Sequence, residues 1–252
     1  MGERIGKGRA VVEFGSGSSA KTPPFLRAVG AAAYVPIDIS AEFLDQAAAE
    51  VARKVGIAVH PVAADFTRHI ELPDAVTDMP KLGFFPGSTI GNMSSRESVD
   101  LLRTFRDTLG EDAHLVIGID LKKSPAILEP AYDDAKGVTA EFILGMLRRM
   151  KAELGADIDM DDWRFDSFWN PDLGRIEMWV RALRPTEIAL NGERWTFAAD
   201  DGIHISNSHK YSIEESAILA RASGYRQVEA YTDADNLFSL QLWRMLPDDL
   251  TG

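Results

Sequence analysis

The chain has 252 residues and a mass of 27.7 kDa, enough for one large domain or a core domain carrying one substantial insertion. Hydrophobic residues at 45% and charged residues at 26% exclude a disordered chain, and 39 acidic against 27 basic residues, a net charge of -12, argue against nucleic acid as a partner. Zero cysteines exclude a disulfide scaffold, thiolate catalysis and Cys-ligated metal; with no run near the roughly 20 apolar residues of a bilayer span and no signal-peptide pattern in Met1 to Ala10, a soluble cytoplasmic protein without membrane partners is expected.

Ala10 to Phe14 reads as a first strand that breaks at Gly15-Ser16-Gly17-Ser18-Ser19, and a helix is expected from Pro24 to Gly30. Ala33 to Ile37 reads as a second strand ending at Asp38. Ser40 then reads as the N-cap of a helix with Phe43, Leu44, Ala47 and Val51 on one face. Ile57 to Ala64 is expected as a third strand ending at Asp65, and Leu82 to Phe85 as a fourth running into Pro86-Gly87. Ser95 to Leu109 carries a helical stripe of Val99, Leu102, Phe105 and Leu109, and His114 to Ile119 reads as a fifth strand ending at Asp120. Such alternation calls for an α/β fold, a parallel sheet with helices on both faces.

The rhythm changes after Asp120. Val138 to Leu154 is a long helical pattern, followed by short strands at Trp163 to Trp169, Arg175 to Leu183, Glu187 to Leu190 and Arg194 to Phe197. Asn191-Gly192 between the last two is a hairpin signal. A helix from Ser212 to Ser223 stops at Gly224, and Val228 to Tyr231 and Phe238 to Met245 read as closing strands. The expected organisation is a core of residues 1–121 and 202–252, with residues 122–201 as an inserted α+β cap packed over the strand ends.

Ligands of open parallel sheets bind beyond the carboxyl ends of the strands. There the glycine loop after strand one lets a backbone approach a ligand and offers free N–H groups at a helix start. Asp38 can accept the two hydroxyls of a ribose, and Asp65-Phe66 offers an amino-group acceptor beside a stacking ring. The pattern describes an adenosine site. NAD and S-adenosylmethionine both satisfy it; Ala20 in place of a third loop glycine and the acid after strand three favour S-adenosylmethionine. The five histidines include only His204 and His209 close together, with no acid at ligand spacing, so no metal is expected.

Motifs along nearly the whole chain resemble the histidine Nα-methyltransferases of ergothioneine biosynthesis and their tryptophan-methylating fungal relatives. They are the run Glu13 to Thr22, Val35-Pro36-Ile37-Asp38-Ile39-Ser40, Ala64-Asp65-Phe66, and Phe85-Pro86-Gly87-Ser88-Thr89-Ile90-Gly91-Asn92. Asp120-Leu121-Lys122-Lys123, Ala131-Tyr132-Asp133-Asp134, Gly137-Val138-Thr139-Ala140, Ile176-Glu177-Met178 and Ser208-His209-Lys210-Tyr211 follow. The resemblance implies a Rossmann-like methyltransferase sheet with a substrate-binding cap, and methyl transfer from S-adenosylmethionine to the α-amino group of a free amino acid, histidine foremost. By position it implies Gly15, Ser16, Gly17 and Lys21 at the methionine end of the cofactor, Asp38 at the ribose, Asp65 and Phe66 at adenine, and Gly87 meeting both ligands. Asn92 would hold the substrate amino group and Tyr132 the carboxylate, as the catalytic pair, with Met178, Ser206 and Ser208 around the substrate side chain.

Three departures bear on the substrate. Ser206 stands where the family carries an acid that grips imidazole, and Ile143, Gly145 and Lys151 stand where it usually carries asparagines. Only 14 residues precede Gly15, so the resemblance also implies a missing pocket wall that a partner subunit or a homodimer would replace. These departures imply another amino acid or amine as substrate, or a cofactor-binding subunit without activity of its own, as the alternatives.

Overall fold

The computed structural model describes residues 2–19 and 21–247, which leaves Ala20 outside the described residues. The chain divides into two compact units, residues 1–121 with 211–252 and residues 122–210. The boundary on the return therefore lies at Lys210 and not at Asp201.

In chain order the first unit contains α1 (Gly2–Ile5), β1 (Ala10–Phe14), α2 (Thr22–Val29), β2 (Ala33–Asp38), α3 (Ala41–Val55), β3 (Ala58–Val59), β4 (Val62–Ala63), β5 (Lys81–Phe85), α4 (Ser95–Leu109) and β6 (His114–Asp120). The second contains α5 (Pro125–Tyr132), α6 (Val138–Leu154), β7 (Asp157–Ile158), β8 (Trp163–Asn170), β9 (Arg175–Ala182), β10 (Thr186–Leu190), β11 (Glu193–Phe197) and β12 (Gly202–His209). The chain then returns to the first unit with α7 (Ile213–Ala222), β13 (Tyr225–Thr232) and β14 (Phe238–Met245).

The sheet of the first unit runs β13-β14-β6-β5-β1-β2-β3, with β4 also on β2. Strands β1 to β6 pair in parallel, while β14 joins β6 antiparallel and β13 closes the edge. β1 lies inside the sheet between β5 and β2 and is buried throughout. Its Ala10, Val12 and Phe14 enter one apolar cluster and Val11 the other, as a strand covered on both faces requires. From β1 the order runs outward through β2 to β3, then restarts at β5 on the opposite side. That reversal places the topological switch between β1 and β5, flanked by the glycine loop and the Pro86-Gly87 loop.

The third expected strand is two short pieces, because Pro61 has no N–H to extend the ladder; the His60 N–H still reaches Tyr34 O at 2.8 Å. Ser40 occupies the N-cap position of α3, but no side-chain cap forms. Phe43 leaves the buried face of α3 and is 71% exposed, while Leu44, Ala47, Ala48 and Val51 pack inward.

In the second unit β12-β9-β8 form one antiparallel sheet and β11-β10-β7 another. Asn191 and Gly192 both have positive φ, +52° and +85°, the conformation that a two-residue hairpin turn demands. Ile176, Met178 and Val180 of β9 share a core with Leu128 of α5 and Ile143 and Leu147 of α6. Alternate residues of β9 thus face the helices.

Candidate active site

The glycine loop is held from two directions. Gly15 and Ser16 donate their N–H groups to Ile37 O at 2.9 and 3.0 Å, drawing the loop across the end of β2. The Gly17 N–H donates to Asp38 Oδ2 at 2.8 Å and the Ser40 N–H to Asp38 Oδ1 at 3.2 Å. A carboxylate offers about four lone-pair sites, so Asp38 is oriented by the backbone and keeps acceptor capacity for two hydroxyls. Gly15 has φ +69°, and a Cβ there would stand 3.1 Å from Phe66 Cε1. The structure therefore brings Gly15, Ser16, Gly17, Asp38 and Phe66 together. Ser16 is buried, and its Oγ has no hydrogen-bond partner among the described residues. A polar ligand reaching into the loop would satisfy it.

Beneath the loop lies a polar group that the sequence did not single out. Glu13 is 3% exposed; its Oε2 accepts from Thr22 Oγ1 at 2.8 Å and from Tyr34 OH, and Tyr34 OH meets Ser19 Oγ at 3.0 Å. Burial raises the Glu13 carboxyl to about 7, against the lowering pull of its two hydrogen bonds. Glu13 ties β1, β2 and the start of α2 into one support for the loop.

Asp65 Oδ1 accepts from the Thr67 N–H at 3.0 Å and from Thr67 Oγ1 at 2.7 Å, which holds its carboxyl below the ordinary range. Phe66 packs against Phe85, with ring centroids 5.9 Å apart. Lys21 is exposed at the N-cap of α2. Gly87 and Asn92 are exposed, and Asn92 ends a 3₁₀ turn. Asn92 and Thr67 line one cavity with Met93 and Leu101, so the motif after β5 lies beside the Asp65 turn. Another residue missed in the sequence explains the position of that motif. Gly118 of β6 lies so close to it that a Cβ would stand 1.9 Å from Pro86 O, and the Asp120 N–H donates to Ser88 Oγ at 2.9 Å.

The remaining expected residues lie in the second unit. On β12, Ser206 pairs with Met178 and Ser208 with Ile176, which sets Ser206, Ser208 and Met178 on the helix-facing side of the sheet. Tyr132, at the end of α5, places its hydroxyl 2.7 Å from Ser208 Oγ. Lys210, only 2% exposed, donates from Nζ to Tyr132 OH at 2.7 Å and to Ser208 Oγ at 2.6 Å, with Nζ 4.8 Å from the Tyr132 ring centroid. A lone lysine reads as a solvated side chain, so only its place in Ser208-His209-Lys210-Tyr211 could have marked it. Ser206 has a long contact of 3.5 Å from Oγ to Asn207 O. Ser167, opposite Met178 on β8, has a buried Oγ with no partner among the described residues.

A sequence profile described as "histidine-specific methyltransferase, SAM-dependent" matches residues 1–245. The chain belongs to this family. It is 36% identical over 240 residues to the histidine N-alpha-methyltransferase of Mycolicibacterium smegmatis, covering 92% of this chain and 74% of that protein. It is 30% identical over 242 residues to ergothioneine biosynthesis protein 1 of Neurospora crassa, covering 92% of this chain and 27% of that protein. The 1,6-didemethyltoxoflavin-N1-methyltransferase of Burkholderia thailandensis, solved with S-adenosylhomocysteine, is similar in fold at a TM-score of 0.51 and 12% identity, over 97% of this chain and 74% of that one. The sheet is thus the Rossmann-like sheet of S-adenosylmethionine-dependent methyltransferases, and the cofactor of the family is S-adenosylmethionine. The residues present fit it: a close-approach glycine, an orphaned buried hydroxyl at Ser16 and an oriented carboxylate at Asp38 suit an amino-acid tail joined to a ribose. No helix among the described residues is long and apolar enough to cross a membrane.

Proposed function

We propose that this chain transfers a methyl group from S-adenosylmethionine to the α-amino nitrogen of a free amino acid, with histidine the first substrate. The observation that carries the reading is the Asp38 carboxylate fixed by the Gly17 and Ser40 N–H groups at the mouth of an intact glycine loop, in a chain whose family profile spans residues 1–245. The name of one relative, ergothioneine biosynthesis protein 1, supports a place for this reaction in ergothioneine biosynthesis. A cytoplasmic location agrees with a cysteine-free sequence. The reading calls on a small-molecule substrate and on no partner chain.

Bound S-adenosylmethionine supplies an electrophilic methyl group. The chain's own residues then have two tasks, holding the cofactor and presenting an amine with its lone pair free. Gly15, Ser16, Gly17 and Lys21 take the methionine portion, Asp38 the ribose, and Asp65 with Phe66 the adenine, with Gly87 beside both ligands. The side-chain carbonyl of Asn92 orients a neutral amine without holding it as an ammonium, as a carboxylate would. Tyr132 donates to the carboxylate, and Met178, Ser206 and Ser208 surround the side chain. Because Ser206 replaces an acid, a second reading keeps the chemistry and changes the amino acid.

A thermal-shift panel tests the reading, since a ligand that binds the folded state raises the midpoint. S-adenosylhomocysteine should raise it and NAD should not. The reverse result would reject the cofactor assignment, and with it the function.

A further inference from the structure

Three polar groups of the second unit close a ring. Lys210 Nζ is 2.7 Å from Tyr132 OH and 2.6 Å from Ser208 Oγ, and the two hydroxyls are 2.7 Å apart. An ammonium only donates, whereas a hydroxyl has one hydrogen and can accept twice. Both hydroxyl oxygens therefore accept from Lys210, and one hydroxyl hydrogen is spent between Tyr132 and Ser208. One O–H remains to point out of the ring.

The assignment of Tyr132 to the substrate carboxylate decides which hydroxyl that is. A carboxylate accepts only, so Tyr132 must be the outward donor. Ser208 must then donate to Tyr132, and its oxygen, already accepting from Lys210, keeps one site that can only accept. With Lys210 and Ser208 2% and 6% exposed, water competes little for this order. We propose that Lys210 is a positioning residue that sets the hydrogen-bond polarity of the substrate site, so that Ser208 acts as an acceptor selecting an amino acid whose side chain presents an N–H. This rests on the function proposed above, and deepens it: the site reads a donor on the side chain and an acceptor at the carboxylate. Lys210 touches neither reacting atom.

The test compares kcat/KM for histidine and 4-thiazolylalanine, whose ring is of similar size with an acceptor nitrogen and no N–H. The full chain is used as wild type, Ser208→Ala and Lys210→Met. The wild type should favour histidine by about 3- to 10-fold, the span of one neutral hydrogen bond. Ser208→Ala should bring the ratio near 1, because the larger loss falls on the substrate whose side chain presents an N–H. Lys210→Met should also lower the ratio and raise KM for histidine more than it lowers kcat, with S-adenosylhomocysteine affinity unchanged as the check on folding. An unchanged ratio in Ser208→Ala would overturn the inference while leaving methyltransferase function in place. So would an equal loss on both substrates in Lys210→Met, which is what a merely structural lysine produces. A wild type that binds S-adenosylhomocysteine and methylates neither amino acid would overturn the proposed function, and this inference with it.

Discussion

Asp38 and Glu13 are both strand-end carboxylates of the first unit, and their surroundings give them opposite work. Asp38 is half-buried and oriented by two backbone N–H groups, so it stays ready to accept from a ligand. Asp38→Ala should weaken S-adenosylhomocysteine binding by about 1.5–3 kcal/mol, the scale of hydrogen bonds to a charged group, as read by calorimetry. Glu13 is sealed under the loop, and burial raises its carboxyl from 4.5 to about 7. The folded state therefore holds the proton more tightly than the unfolded chain does. The stability this gives is fully present below pH 4.5 and is lost as pH rises through about 7, a loss of order 3 kcal/mol. Denaturant titrations of the wild type and Glu13→Gln from pH 4 to 8 should diverge in that direction, with the wild type losing stability relative to the variant; parallel curves would contradict it. Ser206 gives a third prediction. A carboxylate facing imidazole forms a charge-assisted hydrogen bond of about 1.5–3 kcal/mol, so Ser206→Glu should raise selectivity for histidine over other amino acids in a methyl-transfer assay. No gain would show that this position does not read the ring.

Periodicity was most informative where one face of an element is plainly apolar. Val138–Leu154, Ser95–Leu109 and Phe238–Met245 form with the expected bounds, and the strand-end positions of Gly15, Asp38 and Phe66 follow from the alternation that precedes Asp120. Four elements escaped, the short α1 and β7 and, of more consequence, β12 and α5. β12 reads poorly as a strand because Ser206 and Ser208, on its helix-facing side, are polar where packing alone would ask for apolar residues. α5 was hidden by Pro125 and Pro130, although Pro125 opens the helix, where a missing N–H costs nothing. Both carry expected site residues, and such sites are where local sequence rules are broken for function. Contacts between distant backbones are likewise invisible in a linear pattern. Gly118 is the instance that matters, since any side chain there meets the Pro86 carbonyl. Gly118→Ala should cost about 1–3 kcal/mol through overpacking, and should weaken S-adenosylhomocysteine binding by displacing the Pro86-Gly87 loop. Unchanged denaturation and affinity would show that β6 does not set the position of that loop.

At the scale of the whole chain, the second unit is an excursion from the first. Leu121, where the chain leaves the first unit, forms a parallel bridge with Tyr211, where it re-enters. The insertion thus begins and ends on adjacent backbone and leaves the order of the main sheet undisturbed. Each unit has its own apolar core. The function proposed here gives the cofactor to residues of the first unit and asks for methyl transfer to the α-amino nitrogen of a free amino acid. That claim meets its most direct test in mass spectrometry of histidine incubated with the purified chain and S-adenosylmethionine bearing a trideuterated methyl group. The account predicts labelled methyl on the α-amino nitrogen, lost in Tyr132→Phe through a raised KM. Label on a ring nitrogen, or none on any amino acid while S-adenosylhomocysteine binds, would contradict it.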